Sequence, residues 1–163
     1  QLLAKGLIIE SSVSNCAGNQ LVVIAGKGQK ISQFSDLLKV DRISIGDPKT
    51  VPAGMYALEA LEKANVYEAL RQKQKLVFAE NALQAVTYVE SGDVDAGIVY
   101  NTDALLARES KICFSVPLNY TSAMVYKIAI LKSSQNTDSA RAFIACVLSD
   151  EGRKLFRAKG FVI

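Results

Sequence analysis

Residues 42–56 read RISIGDPKTVPAGMY and join a short strand to the start of a helix. Residues 42–45 alternate polar and apolar side chains, and the Gly-Asp-Pro that follows is typical of the turn that ends a strand. Pro52 favours the first helical turn, because its missing N–H would have had no partner inside the helix. The segment therefore predicts a helix N-terminus that presents N–H groups beyond the carboxyl end of a strand, a favourable place for an anion.

Strand and helix patterns alternate along the rest of the chain, which predicts an α/β fold. We expect the first five strands to form one mixed sheet flanked by helices, whereas residues 1–20 predict only a helical turn and a loop. The predicted strands comprise residues 21–25, 42–45, 76–79, 96–100, 112–116 and 125–131. The predicted helices comprise residues 32–39, 53–64, 66–73, 82–90 (capped by Asn81), 104–107 (capped by 101–103), 137–148 (capped by 136–138) and 149–160.

The composition is that of a globular protein with one domain or two small lobes: 163 residues, 50% hydrophobic and 21% charged. The net charge of +3 comes from Lys and Arg residues scattered among acids, so no basic stripe predicts binding to nucleic acid. No apolar run approaches the length of a membrane span, and residues 1–5 do not resemble a signal peptide.

The scarcity of reactive side chains excludes several kinds of chemistry. Histidine is absent, which rules out Ser-His and Cys-His catalysis and the commonest metal sites. Cys16, Cys113 and Cys146 are far apart, and their spacing fits neither a zinc site nor a redox pair. We therefore expect them to be buried thiols, and we expect no cofactor.

Three predicted strands end in loops that could together hold an oxyanion. In open α/β sheets, ligands bind outside the carboxyl ends of strands. No Lys or Arg occurs in residues 50–58, 79–88 or 97–107, so a dianion would be held by neutral donors and helix dipoles. The loops follow Ile45, Phe78 and Tyr100 and contain residues 51–54, 80–83 and 101–103.

Each loop taken alone also fits a purely structural role. Residues 51–54 are typical of an ordinary helix start, Asn81 of an ordinary cap, and Tyr100 of a core side chain with its hydroxyl at the edge. Asp47 and Asp103 could be paired carboxylates for acid–base catalysis. Loop capping is the favoured interpretation for both, because no nucleophile or base partner accompanies them.

Taken together and in order, these motifs resemble those of periplasmic molybdate-binding proteins, the receptors of ABC importers. The resemblance covers nearly the whole chain. Residues 46–61 match the family pattern GDP-x-x-VPAG-x-YA-x-EAL, and residues 97–104 match GIVY-x-[ST]-DA. Residues 79–90 correspond to a family segment in which a glutamate precedes the start of a helix. Residues 157–161 match [RK]-x-x-GF.

The resemblance implies a type II periplasmic-binding-protein fold with one complete lobe and part of the other. Residues 1–21 would be a remnant of lobe 1 and the crossover, residues 22–128 lobe 2, and residues 129–163 the returning crossover and helices of lobe 1. No first strand with its own loop precedes residue 21, so we expect the chain to lack the amino-terminal part of lobe 1.

The resemblance also implies a function: the substrate-binding component of an ABC importer for molybdate or tungstate, acting in the periplasm with a membrane permease as partner. The ligand contacts carried over are the backbone N–H groups of Ala53 and Ala82 and the hydroxyl of Tyr100, with no direct metal ligands. Because lobe 1 would be incomplete, we expect the chain to self-associate. Two first-lobe serines of the family have no counterpart here; the nearest candidates are Ser11, Ser12 and Ser14.

Other functions stay open from the sequence. An effector-sensing domain of a transcription regulator shares this fold. An iron(III) receptor would need a tyrosine pair, for which Tyr100 with Tyr120 or Tyr126 are the candidates. An enzyme is the least favoured class, since no catalytic motif is present. Molybdate and tungstate are tetrahedral dianions of nearly equal size, so neutral donors do not separate them.

Overall fold

The computed structural model describes residues 2–163; Gln1, with which the predicted segment 1–21 begins, lies outside them. Short 3₁₀-helical turns lie at Glu10–Ser12, Phe34–Leu38 and Leu118–Tyr120. The strands are β1 (Ser14–Gly18), β2 (Leu21–Ala25), β3 (Ile43–Gly46), β4 (Leu76–Ala79), β5 (Ala96–Tyr100), β6 (Lys111–Ser115) and β7 (Val125–Ile128). The α-helices are α1 (Pro52–Lys63), α2 (Tyr67–Gln72), α3 (Ala82–Glu90), α4 (Asn101–Ala104), α5 (Thr137–Leu148) and α6 (Asp150–Ala158).

The chain divides into two compact units. The central unit is Gln20–Ala123, and the terminal unit combines the residues up to Asn19 with Met124–Ile163. The predicted lobe 2, residues 22–128, also includes β7, which the structure pairs with β1 inside the terminal unit. The assignment of these units to lobes of a binding protein stays a prediction.

The central unit is built on a mixed sheet with the strand order β4-β3-β5-β2-β6. Strand β3 is parallel to both of its neighbours, whereas β2 is antiparallel to β5 and β6. All five residues of β2 are buried, as expected for the continuous apolar run LVVIA in the interior of a sheet. Helices α1 and α3 pack on this sheet, which confirms the predicted mixed sheet flanked by helices.

The terminal unit is held together by pairing between residues far apart in the chain. Strand β1 runs antiparallel to β7, with Ser14 opposite Ile128. The backbone of Gly18 also exchanges hydrogen bonds with that of Val162, at 2.6 and 3.0 Å. Among the described residues, none in α5 or α6 is buried. No helix in the described part of the chain is both long enough and apolar enough to cross a bilayer.

Several sequence expectations about local structure are wrong. Residues 14–18 form a strand although SNCAG lacks apolar alternation, because β7 supplies the hydrogen-bonding partner. Helix α4 begins at Asn101 instead of 104, and the Asn101 N–H donates to Gln20 O at 2.8 Å. Residues 32–39 contain only a 3₁₀ turn. Strand β7 ends at Ile128, and Asn136 does not cap α5 through its side chain.

The cysteines are free but only partly shielded. Cys16 and Cys113 are half-buried, and burial raises the pKa of the Cys113 thiol. Cys146 is exposed on α5, so the expectation of three buried thiols is wrong for this residue. No described residue of α5 is buried, so the helix does not cover this thiol.

Glu90, at the end of α3, holds the loop before β6. Its carboxylate accepts hydrogen bonds from the N–H groups of Arg108, Glu109 and Ser110 at 2.7, 3.0 and 2.7 Å. The side chain of Ser110 and these N–H groups favour the ionised form and lower the pKa of Glu90 to about 2. Because the pKa of the folded state lies below that of the unfolded chain, ionised Glu90 stabilises the fold at neutral pH.

Glu90→Gln should lower the free energy of unfolding at pH 7 by roughly 1 kcal/mol, since bonds to a charged acceptor are lost at a partly solvated site. The stabilisation is complete above the ordinary glutamate pKa of 4.5 and is lost as the pH falls towards 2. The difference between variant and parent in urea unfolding should therefore shrink between pH 6 and pH 3. Glu68→Gln, which removes the exposed ion pair with Arg71, is the control; an equal effect of both variants would contradict this role.

Candidate binding site at the carboxyl edge of the central sheet

The parallel strands β4, β3 and β5 are neighbours, so their carboxyl ends lie at one edge of the sheet. Each of them leads into a helix at this edge: β3 into α1, β4 into α3 and β5 into α4. Ala53 is the second residue of α1, Ala82 the first of α3, and Tyr100 the last of β5. The topology therefore brings all three predicted site residues to the same edge.

At the N-terminus of α1, one N–H has no acceptor among the described residues. A helix begins with four N–H groups that have no partner inside it. In α1 the first position is Pro52, which has no N–H, and the N–H groups of Gly54 and Met55 both donate to Val51 O, at 2.9 and 3.1 Å. No acceptor among the described residues takes the N–H of Ala53, although this residue is only 1% exposed. A buried donor without a partner is costly, which points to an external acceptor.

At the N-terminus of α3, two N–H groups have no acceptor in the part of the chain that the structure describes. The Asn81 side chain accepts from the Gln84 N–H at 2.9 Å, and the Gln84 side chain accepts from the Glu80 N–H at 2.6 Å. The first of these bonds confirms Asn81 as the predicted cap. Gln84 reaches Glu80, the residue before the cap, so the arrangement differs from a capping box, in which the side chain accepts from the cap residue itself. Within residues 2–163, the N–H groups of Ala82 and Leu83 have no acceptor. The sequence reasoning missed Leu83, although Gln three residues after Asn81 signals that the donor at position 84 is occupied.

Of the two acidic residues considered for catalysis, Asp47 has a structural role. Asp47 Oδ1 accepts from the Lys49 N–H at 2.9 Å, and the Asp47 N–H donates to Ala79 O at 2.8 Å. Asp47 therefore closes the loop before α1, as the loop-capping interpretation predicted. Asp103 lies on α4, where burial raises the pKa of its carboxyl.

The stretches that supply these donors carry no cationic side chain, since Lys and Arg are missing from residues 50–58, 79–88 and 97–107. Charge complementarity at this edge would come from helix α1 and α3, whose N-termini carry a partial positive charge. In the part of the chain that the structure describes, no group of three or more His, Cys, Asp or Glu side chains is placed to hold a metal ion.

Of the three tyrosines considered as iron ligands, Tyr120 and Tyr126 are engaged in packing. The ring of Tyr120 stacks on Phe34 at 5.4 Å between centroids. The ring of Tyr126 meets Phe161 edge-on at 5.7 Å, and its hydroxyl accepts from Asn19 Nδ2 at 3.3 Å. These contacts favour a structural role for both.

Comparison with known proteins finds relatives that match nearly the whole chain. YvgL of Bacillus subtilis (strain 168), a putative ABC transporter substrate-binding lipoprotein, is 33% identical over 163 residues, which are 99% of this chain and 62% of the relative. The molybdate-binding protein ModA of Haemophilus influenzae is 32% identical over 167 residues, which cover 98% of this chain and 65% of the relative. The chain thus spans less than two thirds of the length of these curated relatives.

Solved structures are also similar. The substrate-binding domain of a putative molybdenum ABC transporter from Clostridium difficile matches with a TM-score of 0.90 and 31% identity, over 99% of this chain and 70% of that one. The periplasmic molybdate-binding protein of Azotobacter vinelandii matches with a TM-score of 0.80 and 22% identity, over 99% and 72%, which shows the shared fold. These likenesses confirm the predicted α/β periplasmic-binding-protein fold and the resemblance to molybdate-binding proteins.

The family model for bacterial extracellular solute-binding proteins matches residues 1–162. Such proteins bind solutes and are not enzymes, which agrees with the functional class expected from the sequence. The chain therefore belongs to the family of bacterial extracellular solute-binding proteins.

Proposed function

We propose that this chain acts in the substrate-binding component of an ABC transporter and binds molybdate or tungstate outside the cytoplasm, with a membrane permease as its partner. One observation carries the proposal: the N–H groups of Ala53 and Ala82 have no acceptor among the described residues and lie at one edge of the sheet. The molybdate-binding relatives and the extracellular family support it.

The proposed mechanism uses neutral donors in place of counter-charges. The N–H groups of Ala53 and Ala82 and the hydroxyl of Tyr100 each donate to one oxygen of the oxyanion. The partial positive charges of the α1 and α3 N-termini act in the same direction. Donors fixed in a site with little water interact more strongly with an anion than they would in solution.

Selectivity in this mechanism comes from the size of the oxyanion and from its protonation. Donors held by helix ends cannot all follow a smaller anion, so sulfate would leave some of them unpaired. Phosphate near neutral pH can carry a proton, which needs an acceptor, and the three proposed contacts are all donors. Molybdate and tungstate satisfy both conditions equally, so both belong to the proposal.

We further propose that the terminal unit pairs with a second copy of this chain. Phe143 on α5 and Leu155 on α6 are 63% and 71% exposed. Beside Leu155 lies an open groove of about 330 Å³ lined by Val147, Phe156 and Phe161. Exposed apolar surface of this kind tends to be covered by a partner. A second copy offers the same apolar side chains to the groove of the first, as an isologous interface requires.

Tyr100→Phe should weaken molybdate binding about tenfold to a hundredfold, since a hydrogen bond to a charged group is worth roughly 1.5–3 kcal/mol. Calorimetry on the protein as its gene encodes it measures the change, and an unaltered melting temperature excludes unfolding. Lys49→Ala is the control, because this exposed side chain should affect association at low salt more than affinity. Loss of binding in Lys49→Ala with none in Tyr100→Phe would contradict the neutral-donor mechanism.

Competition titrations should rank the oxyanions. Molybdate and tungstate should bind with similar affinity, while sulfate and phosphate should bind at least tenfold more weakly, because an unpaired donor costs on the order of 1–3 kcal/mol. Raising the pH from 6 to 8 should narrow the gap for phosphate more than for sulfate, since only phosphate loses a proton there. Sulfate binding within tenfold of molybdate would overturn the selectivity argument.

Light scattering at rising concentration should show the chain moving from monomer to dimer. Phe143→Ser with Leu155→Ser should shift the midpoint of this transition at least tenfold upward, because each removes apolar surface from the interface. Leu106→Ser changes a leucine of similar exposure, 64%, in the central unit and should leave the midpoint unchanged. A monomer at every concentration would count against the second copy as partner.

A further inference from the structure

We propose that Gly54 and Gly46 are positioning residues of the oxyanion site, because the direct contact between their backbones sets the place of the Ala53 N–H. This inference rests on the proposed function. It concerns how the donor is held, whereas the proposed function concerns what the donor binds.

Gly54 lies so close to the end of β3 that no side chain fits. A Cβ atom added to Gly54 would lie 2.0 Å from Gly46 O, 2.4 Å from Gly46 C and 2.9 Å from Asp47 C. These atoms are all backbone, so no flexible side chain could turn away. The third residue of α1 therefore touches the last residue of β3 without any side chain between them.

Gly46 is equally close to the residues at the start of α1. A Cβ atom added to Gly46 would lie 2.6 Å from Val51 Cγ1, 3.0 Å from Val51 Cβ and 3.1 Å from Gly54 N. The described glycines with positive φ are others, Gly6, Gly28, Gly92 and Gly160. Conformation alone would accept alanine at positions 46 and 54, so lack of space is what requires glycine there.

The contact between Gly46 and Gly54 sets the position of the Ala53 N–H. Ala53 directly precedes Gly54, and its N–H is the donor without an acceptor. Real Cβ atoms essentially never come closer than 3.0 Å to another heavy atom, and a Cβ on Gly54 would lie 2.0 Å from Gly46 O, so the helix start must shift by roughly 1 Å or more. A hydrogen bond weakens steeply over such a displacement, and the Ala53 N–H would no longer reach the oxyanion.

The loop gives the helix start little room to move without breaking bonds. The Asp47 N–H donates to Ala79 O at 2.8 Å, which continues the pairing of β3 with β4. The Val51 N–H donates to Asp47 O, also at 2.8 Å. These bonds tie the residue before Pro52 to the sheet, so a shift of α1 would be taken up at its first turn.

The test compares two glycines at equivalent helical positions. Gly152 is the third residue of α6, as Gly54 is of α1, and a Cβ atom on it would lie 2.4 Å from Val147 O. Gly54→Ala should weaken molybdate binding at least tenfold. Gly152→Ala, a similar steric change in the terminal unit, should lower the melting temperature while the dissociation constant stays within twofold. Gly26→Ala, with no atom nearer than 3.9 Å, should change neither.

A spectroscopic signal separates positioning from general damage. In the unmodified protein the amide cross-peak of Ala53 should shift on addition of molybdate, and in Gly54→Ala this shift should be lost or reduced by more than half. If Gly54→Ala does not fold, Gly46→Ala carries the test. It should also weaken binding, and adding Val51→Ala should restore part of the affinity, because the Cγ1 atom at 2.6 Å is then gone.

Two results would overturn the inference. One is a folded Gly54→Ala or Gly46→Ala variant with the affinity and Ala53 shift of the parent. The other is a Gly46→Ala variant that is not rescued at all by Val51→Ala. An unmodified protein that binds no molybdate or tungstate would instead overturn the proposed function, and this inference with it.

Discussion

The candidate site depends on the parallel pairing of β3 with both β4 and β5. Parallel neighbours cannot be joined by a tight turn, so each needs a crossover, and here helices supply it. The carboxyl ends of the three strands then share one edge, and a helix begins beyond each of them. Residues 53, 82 and 100 lie at the same edge because of this one feature of the sheet, although they are far apart in the chain.

Helices α1 and α3 each leave only some of their first N–H groups without an acceptor among the described residues, and the reasons differ. In α1 a proline removes one N–H, and Val51 O accepts two others. In α3 the Asn81 side chain occupies the donor at Gln84, whereas the N–H groups of Ala82 and Leu83 have no acceptor among the described residues. A site with few, fixed and neutral donors is costly when empty and selective when filled, because each donor must find an oxygen at its own position.

The two units bury apolar surface to very different extents. The central unit contains a sheet whose middle strands are almost fully buried. In the terminal unit, helices α5 and α6 contain no buried residue among those described. A two-stranded sheet is marginally stable by itself, so the terminal unit relies on long-range pairing such as that of Gly18 with Val162. The residues proposed for the site all lie in the unit with the larger core.

The sequence by itself determined the elements that depend on near neighbours: the buried run of β2, the proline start of α1 and the Asn81 cap of α3. Strand order, the pairing of β1 with β7 and the early start of α4 were decided only by the tertiary structure. So were the open N–H of Leu83 and the contact of Gly46 with Gly54. Caps and periodicity are set within a few residues, whereas strand partners and close backbone contacts depend on segments that meet only after the chain has folded.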